Sequence, residues 1–178
     1  DLMDFNCEQR NSVHFFYILP FTKKNAMIET TWLSKEDGSL KDYESQVKNY
    51  INYLGIKDYK INFKEEGAIP LFHLINENKK NKINIGTAGG MTRLSTGYTF
   101  LNIQEHCKYI RMNIENIKDA KKYELGKKYH FLDKIFLRVL KKYPEKMPNI
   151  FSNMFGSFSV ATIKFLSNKS NFFEDLLI

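Results

Sequence analysis

Glu29, in the stretch AMIETTWL, is one carboxyl among apolar and hydroxyl side chains. Met27 and Thr31 share its side of an extended chain, while Ile28, Thr30 and Trp32 alternate to the other. Two readings of such a carboxyl stand side by side. On a solvated face, or beside a lysine, it is an ordinary surface anion. Deprived of water, it is a proton donor near neutral pH, because burial raises a carboxyl pKa by roughly 3 to 5 units. Glu65 and Glu66 form a second acidic pair just before Gly67 and Pro70, readable as a turn in water or as strand-end carboxylates facing a ligand. A different chemistry lies in NIGTAGGMTRLSTGYTF, where Gly86, Gly89, Gly90 and Gly97 separate a short apolar run from a helical pattern. Glycine permits left-handed backbone or a close approach, and the unpaired amides of a helix start attract phosphate or an electron-rich ring edge. A ligand-contacting loop and a plain tight turn both satisfy this pattern. The spacing is neither GxGxxG nor GxxxxGK[ST], so the dinucleotide fingerprint and the P-loop do not apply.

Other reactive residue types are scattered. His73 and His106 are lone histidines that read as structural, and Arg93 reads either as a phosphate partner or as a surface residue. Cys7 and Cys107 lack CxxC or Cys/His spacing, so neither a disulfide framework nor a metal site is expected. A reduced, cytoplasmic setting is the default.

The elements that must hold these residues follow from periodicity. Residues 12–34 read as two strands joined by the turn TKKN, and the first, with Val13, Phe15, Tyr17 and Leu19 alternating against His14, Phe16 and Ile18, is expected to be covered on both faces. A helix is predicted from Leu40 to Leu54, capped by Ser39 with Asp42 three residues on and stopped by Gly55. A strand is predicted from Tyr59 to about Glu65, and KINIG reads as another. The next helix begins near Thr96 or Gly97 with Phe100, Ile103, Cys107, Ile110 and Ile114 along one face. Beyond it the pattern is helical throughout: Phe131, Leu132, Ile135, Phe136, Val139 and Leu140 form a stripe, and Pro144 and Pro148 precede a last helix through FSNMFGSFSVATIKFL. Strands first and helices last predict an α+β fold.

At 178 residues, with 43% hydrophobic and 15% aromatic side chains, the chain is large enough for a real core. It begins at DLMDFNCEQR with no initiator methionine, signal-peptide layout or membrane-spanning stretch, and so reads as a piece of a longer protein. The net charge of +7 is concentrated between Lys118 and Lys146. A solvated helix face, an anionic membrane surface and a nucleic acid would each account for it. No zinc finger, RNP signature or KH-type clamp supports the nucleic acid.

Three blocks, HFFYILPFTKKNAMIETTWLS, KEEGAIPLF and GTAGGMTRLSTGYTFLNIQEH, together with the MDF of Met3 to Phe5, resemble in order and separation the bacterial and plant lycopene cyclases. The match runs through about residue 106. The resemblance implies the C-terminal portion of an FAD-dependent monooxygenase-like flavoprotein: a mixed sheet over the substrate and flavin cavity in residues 1–106, then a helical region in 107–178.

It further implies a redox-neutral isomerase that turns lycopene end groups into the rings of β-carotene or a relative, with reduced FAD present but not consumed and NAD(P)H as reductant. MIETT lies over the plant-type FLEET motif, which places Glu29 on its first, catalytic glutamate, with Thr30 in place of the second. The resemblance also puts Gly86, Thr87, Ala88, Gly89 and Gly90 where related flavoproteins hold FAD through a Gly-Asp-Ala element, Thr87 replacing the aspartate, and brings Thr96 and Gly97 close to the flavin ring. Phe15, Tyr17 and Trp32 read either as core or as π faces offered to cationic carbon, and the resemblance has the block of Glu65 and Glu66 line the cavity. A hydrocarbon substrate implies peripheral attachment to an anionic membrane through the basic helices after Lys118. Without the ADP-binding half of such a flavoprotein, the chain alone is expected to be colourless and inactive. The rival readings are another FAD-dependent isoprenoid enzyme, a prenyl-lipid reductase or hydroxylase, and a non-catalytic basic module that binds membranes or nucleic acid.

Overall fold

Aromatic and β-branched residues at period two drive the first element, β1 (Val13–Thr22), which pairs antiparallel with β2 (Asn25–Leu33). The register sets His14 opposite Trp32, Tyr17 opposite Glu29 and Leu19 opposite Met27. An irregularity falls between Pro20 and Thr22, where proline has no amide to give the ladder. The Thr22 hydroxyl then accepts the amides of Lys24 at 3.2 Å and Asn25 at 3.0 Å, closing the TKKN turn where the sequence places it. The structure is a computed structural model and describes residues 2–34, 42–72, 82–118, 123–156 and 160–176. It divides into two compact units, residues 1–66 with 143–150 and residues 67–142 with 151–178.

In the first unit one face of the hairpin carries α1 (Tyr43–Tyr53). Tyr50 stacks on Phe16 at 3.8 Å and His14 stacks on Trp32 at 3.9 Å. Gln46 ties helix to hairpin: its Oε1 accepts Trp32 Nε1–H at 2.9 Å and the Thr30 hydroxyl at 3.1 Å, and its Nε2 donates to Asp42 at 2.6 Å. Asp42, the residue before the helix, is engaged by Arg10 rather than capping the helix amides. The expected cap Ser39 and first helical residue Leu40 lie outside the described residues. Gly55, at φ +75°, stops the helix as predicted. The incoming chain covers the base of β1: Asp4 exchanges both backbone bonds with Phe16, and Phe5 meets Phe15 edge-on at 5.5 Å. The Cys7 thiol donates to the His14 carbonyl at 3.4 Å, and burial pushes its pKa up to about 11. Val13 to Phe16 are thus covered on both faces as expected, but toward the turn Phe21 is exposed.

In the second unit a single 3-10 turn, Gly86–Gly89, leads to α2 (Phe100–Met112). Then come α3 (Lys127–Lys142), α4 (Met147–Gly156), whose first residues belong to the first unit, α5 (Val160–Leu166) and α6 (Phe172–Asp175).

The α+β class stands, while the mixed sheet is corrected to a two-stranded antiparallel one among the described residues. Tyr59 to Glu65 and KINIG are not strands. An alternating run still needs a neighbour to satisfy its ladder, and here Ile61, Phe63, Ile83 and Ile85 are all exposed. The second helix starts at Phe100, not at Thr96 or Gly97, because Gly97 at φ +71° belongs to a turn in which its amide bonds Arg93 O at 2.8 Å. Its expected apolar stripe is also corrected. Phe100, Cys107 and Ile114 face water, whereas Asn102 and His106 are buried, with Asn102 Nδ2 donating to Met91 O at 3.1 Å and Asn102 Oδ1 accepting from Asn168 Nδ2 at 2.6 Å. The predicted stripe of the third helix shifts likewise: Phe131 and Ile135 are exposed, and Tyr129 and Asp133 are buried.

Burial holds both His14 and His106 below the ordinary histidine pKa. The unfolded chain therefore binds more protons than the folded one once pH falls below about 6.5. Stability is then expected to be full above pH 7 and to fall as pH drops below about 6.5, by up to ~1.4 kcal/mol per pH unit per histidine. Urea midpoints measured from pH 8 to pH 5 check this, and His14→Asn should flatten the slope.

Candidate functional site

Glu29 sits on the hairpin face opposite the helix, next to its cross-strand partner Tyr17. The Thr31 hydroxyl donates to Glu29 Oε1 at 2.9 Å, fixing one carboxylate oxygen. The expectation that its neighbours dry this carboxyl is not met: Glu29 is exposed. The reason is local. Met27 beside it is itself exposed, and Ile28 and Trp32, being of opposite parity, point away from it. Tyr17 is half-buried, and burial first, then the Glu29 charge, push its hydroxyl pKa up, so the phenol stays protonated. Trp32, expected in a substrate cavity, lies on the helix side, sandwiched between His14 and the Arg10 guanidinium at 5.6 Å and bonded to Gln46. Phe15, also considered for the cavity, is in the core. Glu65 and Glu66 are exposed in irregular chain, and His73 lies outside the described residues.

The glycine turn forms the edge of a cavity of about 360 Å³ within the second unit. Thr87, Gly89, Gly90 and Thr92 line one side, and Tyr123, Glu124, His130 and Lys134 another, with Met91, Leu94 and Leu125 supplying apolar wall. Pro70 and Phe72 also line it, so the KEEGAIPLF block does reach a cavity, through its last residues and not through its glutamates. Ala88 is exposed, and neither it nor Thr96 nor Gly97 lines the cavity. Gly89 is glycine for the turn's own sake: a Cβ there would stand 2.6 Å from Asn84 O. At Gly90, φ +78°, a Cβ would meet nothing, so this glycine keeps the cavity edge flat and open.

The turn's amides are taken up internally. Gly89 N–H donates to Ile85 O at 3.1 Å, Gly90 N–H to Thr87 O at 3.0 Å and Met91 N–H to Gly86 O at 3.1 Å. The hydroxyls are chained too, Thr92 to Thr87 at 3.2 Å and Thr92 to Thr99 at 3.0 Å. A flavin laid here would meet a flat edge at Gly90 and the hydroxyls of Thr87 and Thr92. The amides of residues 89–91 would offer its phosphates nothing. The residues thus fit the ring end of such a cofactor and not its phosphate end.

Arg93, read from sequence as a phosphate partner or surface residue, is neither: it is fully buried. Its guanidinium grips Asp133 through Nε and Nη2, the shortest contact 2.7 Å, donates from Nη1 to Phe165 O at 2.5 Å, and lies over the rings of Phe165 at 4.4 Å and Tyr129 at 4.8 Å. Asp133 also accepts the Leu94 amide at 2.9 Å and the Ser95 hydroxyl at 2.7 Å. This cluster holds the segment after the glycine turn against α3, and so sets the cavity's position. Sequence reasoning missed Asp133. The available signal was a lone acid in a helix of cations, four residues after Tyr129 on the inward side. His106, read as structural, is so: it stacks on Tyr123 at 5.2 Å beside Gly89. Among the described residues no group of three or more His, Cys, Asp or Glu is placed to hold a metal ion.

The family model described as lycopene cyclase protein matches residues 1–173. No curated protein and no solved structure matches the chain. The likeness carried by three short blocks up to about residue 106 therefore extends through the helical region, and it supports a carotenoid-cyclase type of function. Hairpin, glycine turn and helices fall within one continuous match, and the chain belongs to the lycopene cyclase family.

Proposed function

We propose that the protein cyclises the end groups of lycopene, as an acid-catalysed isomerisation yielding β-ionone rings and hence β-carotene, with Glu29 as the proton donor. The family match over residues 1–173 is the observation that carries this reading. The setting of Glu29 supports its part. With Oε1 engaged by Thr31, Oε2 is left to carry the acidic proton. Exposure of the free carboxyl lets it exchange protons with water, and an end group laid over Met27, Glu29 and Tyr17 would exclude that water. The proton passes to the terminal alkene, forming a C–H bond and a tertiary cation. The neighbouring double bond attacks to close the ring, and loss of a different proton restores an alkene, so electrons and protons balance with no net redox change. The Tyr17 ring, protonated and on the same face, offers its π electrons to the cation.

Reduced FAD, kept reduced by NAD(P)H, is the cofactor of this reading, in an FAD-dependent monooxygenase-like fold. When bound, the reduced flavin supplies negative charge. Thr87, Gly90 and Thr92 are the residues that would hold its ring end. No helix among the described residues is long and apolar enough to cross a membrane; peripheral attachment belongs to this reading. In lycopene-accumulating cells, the protein supplied with the ADP-binding half that such a flavoprotein needs is expected to replace lycopene with ringed carotenoids by chromatography. A product reduced or hydroxylated and still acyclic would overturn the reading in favour of a prenyl-lipid reductase or hydroxylase.

A further inference from the structure

His14 is buried on the helix side of the hairpin, among Trp32, Thr30 and the chain that precedes β1. Its neighbours dictate where hydrogens must lie. The Glu8 carbonyl is 2.7 Å from Nδ1 and can only accept, so Nδ1 carries a hydrogen whether the ring is neutral or charged. Nε2 is 2.7 Å from the Thr30 hydroxyl, and that hydroxyl is 3.1 Å from Gln46 Oε1. The Gln46 amide cannot be turned round. Trp32 Nε1 only donates, at 2.9 Å to Oε1, and Asp42 Oδ1, held ionised by Arg10, only accepts, at 2.6 Å from Nε2 of Gln46. While the imidazole is neutral, Thr30 therefore has one hydrogen to offer two acceptors. A proton on His14 Nε2 removes the conflict, because Nε2–H then donates to Thr30 and Thr30 donates to Gln46.

From this we infer that His14, Thr30 and Gln46 form a proton-operated switch, in which the Thr30 hydrogen points across the hairpin to His14 while the ring is neutral and turns to Gln46 on α1 when the ring takes a proton. Solvent supplies the proton, one N–H bond forms and the Thr30 O–H rotates; no other bond is made or broken. Burial opposes the charge and holds the ring below the ordinary histidine range. Among the described residues, Arg10 adds to that effect, while the Glu8 carbonyl and the charges of Glu8 and Asp42 oppose it. The stacked face of Trp32 also favours a cation. Acid thus tightens the link from hairpin to helix and leaves the ring in place. Glu29 is the next residue along β2, on the other face, but the switch stands on this network alone and not on the cyclase reading.

Trp32 is the single tryptophan of the chain, and its ring lies 3.9 Å from the imidazole, tilted by 11°. An imidazolium in such contact quenches indole emission more than the neutral ring does. Fluorescence followed from pH 8 downward is expected to fall with a midpoint below about 6.5, over a range in which far-UV circular dichroism keeps its pH 8 form. Thr30→Val, of the same shape, should lower that midpoint by about one pH unit, a tenfold loss of proton affinity, because the charged ring loses its acceptor. Thr30→Ser, which keeps the hydroxyl, should hold the parent's midpoint. Nitrogen-15 NMR of labelled histidine gives a second measurement on the unaltered chain: His14 is expected as the Nδ1–H tautomer at pH 8, with both nitrogens protonated below the midpoint. A neutral Nε2–H tautomer overturns the inference. So does a quench that tracks loss of helix, one that persists in His14→Asn, or a midpoint that Thr30→Val leaves unmoved, which would make Thr30 a packing residue only.

Discussion

With the ADP-binding half of such a flavoprotein supplied, Glu29→Gln is expected to lower ring formation by about 10² to 10⁴-fold, the usual worth of a general acid, with the protein present at its normal level. The substitution is chosen for what it spares. A glutamine can still accept the Thr31 hydroxyl through its carbonyl oxygen, so the shape and the 2.9 Å contact survive while the transferable proton does not. β2 is exposed at this position, and nothing buried is disturbed, so stability should stay within about 0.5 kcal/mol of the parent. Chromatography of pigments from lycopene-accumulating cells, alongside an immunoblot, reads the result. Ring product at the parent's level would take Glu29 out of the mechanism. Glu29→Asp, which keeps the acid but withdraws it by one methylene, should fall between the two.

The second large effect lies at Arg93 and Asp133. Asp133→Ala strands a fully buried guanidinium and also unpairs the Leu94 amide and the Ser95 hydroxyl. Breaking a buried pair from one side costs about 3–5 kcal/mol. For a chain of this size that lowers Tm by roughly 6–20 °C. Arg93→Met should cost a similar amount by leaving the carboxylate alone. The double variant Arg93→Met, Asp133→Ala should lose less than the sum of the two single changes, since neither charge is then left without its partner. Recovery stays partial because Leu94 and Ser95 keep no acceptor. Thermal melts of the three variants give the coupling, and additive losses would show that the two residues act apart.

What the sequence made legible was local. The hairpin, its TKKN turn, the parity of Glu29 against Trp32 and the stop at Gly55 all follow from period two, period 3.6 and the φ that glycine allows, and all are found. What failed needed a partner distant along the chain. Residues 59–65 alternate like a strand, but alternation does not supply a neighbouring edge, and Phe63 is left exposed. α2 was expected to bury its apolar residues. Instead it buries Asn102 and His106, because the element it meets offers the Met91 carbonyl and a close glycine backbone, which reward polar and flat groups over branched ones. The candidate site divides the same way. The strand and parity of Glu29 could be read from its neighbours, but its hydration could not, since that depends on what covers the hairpin. Arg93 was visible, while its partner 40 residues later was not.

Each compact unit contains one cysteine, Cys7 in the first and Cys107 in the second. The two differ as electrophile targets. Cys107 is exposed on α2, whereas Cys7 is kept protonated and tethered to the base of β1 by its bond to His14 O. An alkylating reagent therefore labels the second unit at once and the first only when the hairpin base opens, so the mass increments of a single timed labelling report the breathing of the two halves separately, without any added probe.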